Sequence, residues 1–144
     1  MKFDNILVPY DGSDCSKRAF NSALDLARHA NSRITILTCI EAGYNSDLGF
    51  DPEFTDSDEL KAKERALDDM EELKERANKD GIQAIKKVVK TLSIPKTLVE
   101  LSDSSDVDLV IMGSHGRTGL NKFVFGNITN KVAPISHCPI MIVK

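Results

Sequence analysis

The chain has 144 residues, 41% of them hydrophobic and 28% charged, with a formal charge of −3 and a pI near 5.6. That length suits one domain with a real core, and the composition is ordinary for a globular protein. The acidic balance argues against nucleic acid or anionic membrane as a general partner, and no apolar run approaches the ~18 residues of a transmembrane helix.

Met1 to Asn5 leads directly into strand sequence, so no signal peptide is expected. Ile6-Leu7-Val8 is a short continuous apolar run, the pattern of a strand buried on both faces. Ser13 is placed to cap a helix through about Ala30, with Ala19, Phe20, Ala23, Leu24 and Ala27 as its inward stripe. Ile34 to Ile40 is the second strand. The segment 41–59 follows as a long loop with seven acidic residues and no Lys or Arg. A second helix spans about Asp58 to Lys79, turning Ala66, Met70, Leu73 and Ala77 inward, with Glu59/Lys63 and Glu72/Arg76 as i,i+4 pairs and Gly81 as its stop. Ile85 to Leu92 is the third strand, and Lys86, Lys87 and Lys90 place it at a sheet edge. Pro95 opens a third helix that buries Leu98 and Leu101. A fourth strand over Asp108 to Met112, a glycine loop, a helix from about Gly126 to Ser136 and a fifth strand over Pro139 to Val143 complete the order. Alternating strands and helix-length crossovers imply a parallel sheet covered on both faces. The expectation is a single doubly wound α/β domain over residues 1–144. Cys15, Cys39 and Cys138 are odd in number and include no C-x-x-C pair, which reads as reduced thiols in a cytoplasm.

The most informative stretch is Gly113-Ser114-His115-Gly116 followed by Gly126-Asn127. A strand, a glycine-punctuated loop and a helix start make a phosphate cradle, because backbone N–H groups approach an anion without Cβ interference. The spacing fits neither G-x-x-x-x-G-K-[ST] nor G-x-G-x-x-G. It is Gly-x2-Gly-x9-Gly-Asn, which resembles the nucleotide-binding signature of the universal stress protein family in its ATP-binding branch. Ile6 to Ser13 resembles that family's first strand and Pro-x-Asp-x-Ser turn, Val107 to Gly113 its fourth strand, and Cys138 to Val143 its last. Asn127 stands where the family most often has Ser or Thr, and its amide can donate to a phosphate oxygen.

The resemblance implies a five-stranded parallel sheet of order 3-2-1-4-5, with Pro9-Tyr10-Asp11-Gly12 facing Gly113 to Gly116 across one crevice. Backbone N–H groups around Gly113, Gly116, Gly126, Asn127 and Ile128 would hold the triphosphate, with the Ser114 and Asn127 side chains as extra donors. Asp11 would accept from ribose hydroxyls, and Cys39 marks where the family's second strand meets the adenine edge. Pro9, Met112, His115 and Arg117 complete the expected ATP site. Arg117 and Lys122 either neutralise phosphate charge or are simply solvated. The implied cofactor is ATP with Mg, and no metal ligand is assigned to the protein. Plainer readings stand beside these: Asp11 as a helix cap next to Ser13, Gly113 and Gly116 as turn glycines, and Cys39 as a small core residue. His29, His115 and His137 have no signal of catalysis. The acidic segment is a solvated loop or a lid over nucleoside or partner, since its charge repels phosphates.

The resulting expectation is a cytoplasmic ATP-binding universal stress protein, a nucleotide-dependent regulatory or protective module. No P-loop lysine or general-base carboxylate is evident, so slow ATP hydrolysis is the most enzyme activity expected. The alternative is an ATP-pyrophosphatase-like nucleotidyl transferase, whose serine-rich phosphate loop directly follows strand one; here Pro9-Tyr10-Asp11-Gly12-Ser13 stands there. A phosphorylated receiver domain needs an aspartate ending strand three, and Lys90-Thr91-Leu92-Ser93 supplies none. The apolar fifth strand, 139–143, is expected at a bare sheet edge that pairs antiparallel with a second copy to form a homodimer, as in the family. No nucleic acid or membrane partner is expected.

Overall fold

The computed structural model describes residues 2–42, 44–45, 49–50, 56–104, 106–115 and 127–144. Five strands form one parallel sheet: β1 (Asn5–Pro9), β2 (Arg33–Glu41), β5 (Ala84–Thr91), β6 (Leu109–Gly113) and β7 (Ile140–Val143). Their spatial order is β5-β2-β1-β6-β7. Counting only these strands, that is the expected 3-2-1-4-5. Connecting them are α1 (Asp14–Ala30), α2 (Asp56–Lys79), α3 (Ile94–Ser104) and α4 (Asn127–Val132).

The two-residue side-chain period of a strand sends neighbours to opposite faces. Ile6, Val8, Ile34, Ile36 and Ile111 join Phe20, Ala23, Met70 and Leu73 beneath α1 and α2. Leu7, Leu37, Val110 and Met112 join Leu98 and Val132 beneath α3 and α4. Each fully buried side chain such as Phe20 or Ile36 contributes roughly 1.5–3 kcal/mol. The helix ends follow local chemistry. The Ser13 hydroxyl accepts from the Ser16 N–H at 3.2 Å, and Asn31, in the left-handed region at φ 56°, closes α1 with an N–H to the Ala27 carbonyl.

Four expectations need correction. The acidic segment 41–59 is not all loop: β3 (Tyr44–Asn45) and β4 (Gly49–Phe50) pair antiparallel within it, and α2 begins at Asp56. The last helix stops at Val132 instead of near Ser136, because Pro134 has no N–H to continue it. Glu59 pairs with Lys90 across to β5 at 2.7 Å, not with Lys63. Arg76 donates to Asn21 Oδ1 at 2.8 Å and lies 5.5 Å over the Phe20 ring, so it joins α2 to α1 and is not spent on Glu72. The lysine-rich strand β5 does lie at a sheet edge, and Glu71 and Glu59 of α2 take up its Lys86 and Lys90.

Candidate functional site

Strand order reverses between β1 and β6, so their carboxyl ends form the switch point where ligands of doubly wound sheets bind. On the β1 side the chain end is pinned twice: Tyr10 N–H donates to the Leu37 carbonyl at 2.7 Å, and Thr38 Oγ1 donates to the Tyr10 carbonyl at 2.8 Å. Gly12, at φ 82°, makes the turn that a Cβ would disfavour. Asp11 Oδ1 accepts the Ser13 N–H at 2.9 Å, an Asx turn leading into the cap of α1. The capping geometry and a place at the crevice therefore coexist at Asp11.

On the β6 side, Gly113 allows a close approach. A Cβ built there would meet Cys15 Cβ at 2.7 Å and the Cys15 carbonyl carbon at 2.9 Å, so the first turn of α1 can pack only on a glycine. Thr129 Oγ1 donates to the Gly113 carbonyl at 2.9 Å and fastens α4 to the strand end. Ser114 N–H donates to the Val143 carbonyl at 2.8 Å. The Ser114 side chain is buried, with its hydroxyl 2.8 Å from His115 Nδ1 and 3.9 Å from Cys15 Sγ. Among the described residues it is not part of the crevice lining. Gly116, Arg117, Lys122 and Gly126 lie outside the described residues, and Asn127 is described only as the first residue of α4.

Between these two sides lies a crevice of about 120 Å³. It brings together Pro9, Asp11, Cys39, Met112, Gly113, His115 and Ile128 of the expected site. Its floor is apolar, built from Leu37, Cys39, Ile94, Leu98, Met112 and Ile128, while Asp11, Ser13, His115 and Thr129 bring polar groups to it. Tyr10, Ser13, Ser16, Leu37, Ile94, Leu98 and Thr129 also line it and lie outside the expected set. The spacing of Ile94 and Leu98, one helical turn apart, is the sequence signal that could have placed Ile94 on the same inward stripe. Burial pushes the Cys39 thiol up to about 12, so it stays protonated and acts as apolar lining. Cys138 is raised by burial and then by the Asp103 and Asp108 carboxylates. Among the described residues, no group of three His, Cys, Asp or Glu could hold a metal ion. A larger hollow of about 430 Å³ opens near the amino ends of β1, β2 and β5. Volume alone would favour it, but position decides for the crevice, which sits at the switch point and holds the turn residues.

These features define a doubly wound α/β protein with a crevice at its switch point. The chain belongs to the universal stress protein family, whose model matches residues 2–144. It is 28% identical to universal stress protein YxiE of Bacillus subtilis over 148 aligned residues, covering 99% of both chains. The solved structure of hypothetical protein MJ0577, described as a test case for structure-based assignment of biochemical function, superposes with a TM-score of 0.84 at 27% identity, covering 100% of this chain and 97% of that one. A universal stress protein solved in complex with cAMP superposes with a TM-score of 0.70 at 25% identity, covering 99% and 98%. No helix among the described residues is long and apolar enough to cross a membrane.

Proposed function

We propose that this chain is a cytoplasmic, ATP-binding universal stress protein acting through residues 1–144 as one nucleotide-dependent regulatory or protective module. One observation carries the reading: seven expected site residues from four separate sequence segments line one crevice at the switch point. The apolar floor suits a purine ring. At about 120 Å³ the crevice has room for a base but falls short of the ~300–1,000 Å³ of whole-ligand pockets, so sugar and phosphates lie at its mouth. There the Asp11 carboxylate would accept from ribose hydroxyls, and backbone N–H groups of Gly113, Asn127 and Ile128 would take the phosphates, with Gly116, Gly126 and Arg117, outside the described residues, as the further expected donors. Mg would be supplied with the triphosphate, since no protein ligand is assigned to it among the described residues. A family member solved with cAMP supports an adenine nucleotide as the ligand class, and the Gly-x2-Gly-x9-Gly-Asn spacing favours ATP within it. The reading assigns no catalytic residue.

Assembly follows from the sheet. β7 is an edge strand with Met141 41% exposed, and pairing across a two-fold axis through residues 139–143 gives a homodimer. Pro139 lacks an N–H, so the pairing centres on Met141 to Val143.

Thermal unfolding with ATP and Mg tests the binding claim. Ligand at ~100 times its dissociation constant adds ~2.7 kcal/mol, and AMP adds less because it leaves the phosphate positions empty. No shift at millimolar ATP and Mg would remove the proposal.

A further inference from the structure

The 430 Å³ hollow near the amino ends of the strands plays no part in the site described above, and its size falls within the ~300–1,000 Å³ range of small-molecule pockets. Strand register explains its chemistry. Asn5 of β1 aligns with Arg33 of β2, and Leu7 aligns with Thr35, which in turn aligns with Ile85 of β5. Lys87 follows two residues beyond Ile85 and so returns to the same face. Lys87 aligns with Leu37, so Arg33 and Lys87 stand on either side of the Leu7–Thr35–Ile85 row, and Leu101 of α3 and Val107 complete the wall.

Three features show that the fold leaves this hollow incomplete. Ile85 is 50% exposed near the amino end of the edge strand, whereas Val89 further along the same face packs against the cluster around Leu98 of α3. Among the described residues, neither Arg33 nor Lys87 has a carboxylate partner or a side-chain hydrogen bond. Asn5 is only 8% exposed; its Nδ2 donates to the Asp106 carbonyl at 2.9 Å, and its Oδ1 has no hydrogen-bond partner. A buried acceptor without a partner is uncommon in native folds. Among the described residues, Asp106 is the one carboxylate in the wall, set against two cations.

We infer that this hollow is a second ligand site, for a small amphipathic anion: a carboxylate or sulfonate head on a short apolar body. The unpaired Arg33 and Lys87, on long side chains that flank the Thr35–Ile85 row, converge on the head from its two sides by charge-assisted hydrogen bonds at the outer edge. The body covers Ile85 and runs inward over Leu7 toward Leu101 and Val107, and a hydroxyl or water at its inner end completes Asn5 Oδ1. The inference is independent of nucleotide binding, since the two cavities share no lining residue.

The test is titration of the full ¹⁵N-labelled chain with octanoate, followed by amide chemical shifts. Saturable shifts at Thr35, Ile85 and Leu101 are expected, undiminished by saturating ATP. Octylamine, with the same body and opposite charge, should give none. Arg33→Glu with Lys87→Glu, both at exposed positions, should weaken octanoate by about tenfold or more at an unchanged melting temperature. Anionic phosphatidylglycerol vesicles should leave these amides unmoved, which separates a pocket for free amphiphile from a lipid surface. The inference is overturned by an absence of saturable shifts, an equal response to octylamine, displacement by ATP, or shifts produced only by vesicles. If the charge-reversal variant does not fold, the comparison of octanoate with octylamine on the wild type decides alone.

Discussion

Gly113 is the residue on which fold and site depend together. Its value is the missing Cβ, which would sit 2.7 Å from Cys15 Cβ in the first turn of α1. Gly113→Ala forces that turn away from β6 and should cost about 1–3 kcal/mol, as other overpacked contacts do. It should also weaken nucleotide binding, because the displaced turn follows Asp11 and Ser13 directly. Urea unfolding and calorimetry with ATP read the two effects, and an unchanged unfolding midpoint would contradict the packing. Cys39 makes a different prediction. Its thiol, ordinarily near 9, is pushed to about 12 by burial, so between those values the unfolded chain loses a proton that the folded chain keeps. Fewer protons on the unfolded chain mean stability that falls as pH rises from about 9 to 12, with no such slope below. Cys39→Ala should flatten that alkaline loss, measured as urea midpoints against pH. Parallel profiles for the two proteins would show that Cys39 is not the group responsible.

At the level of elements, the turn from β1 into α1 is the most consequential. Ser13 Oγ accepts from Ser16 N–H, and the Ser13 N–H is held by Asp11, so one residue joins the cap to the crevice. Ser13→Ala should destabilise by ~1 kcal/mol and Ser13→Asn should restore most of it, as followed by chemical denaturation. Equal midpoints for the wild type and Ser13→Ala would show the cap to be idle. This element was legible because its signals are local: an apolar triplet, a capping hydroxyl and a stripe at helical spacing. The same holds for the edge position of β5, whose lysines cannot all be buried. What escaped the sequence depends on contacts made only in the fold. Tyr44–Asn45 and Gly49–Phe50 are too short to show alternation. Glu59 and Arg76 have helical neighbours of opposite charge, yet Lys90 and Asn21 on other elements hold them. Ser114 sits beside glycines in sequence like a phosphate donor, and only the fold brings Cys15 Sγ to 3.9 Å from its buried hydroxyl.

At the scale of the whole molecule, the two sheet edges are unlike. β5 is guarded by three lysines, whereas β7 presents Ile140 to Val143 without a charge. Light scattering at micromolar concentration should give twice the 15.9 kDa chain mass, and Ile142→Pro should give monomer or aggregate; a wild-type mass of 15.9 kDa would contradict pairing at β7. The proposed nucleotide site depends on the same topology, because the switch point exists only where β1 and β6 lie side by side. Mapping amide shifts of the labelled chain on addition of ATP and Mg tests that claim most directly. The account predicts saturable shifts at Asp11, Cys39, Gly113, His115 and Ile128, with Asn5, Gln83 and Leu101 unmoved. Shifts confined to the amino ends of the strands, or none at millimolar ATP, would contradict it.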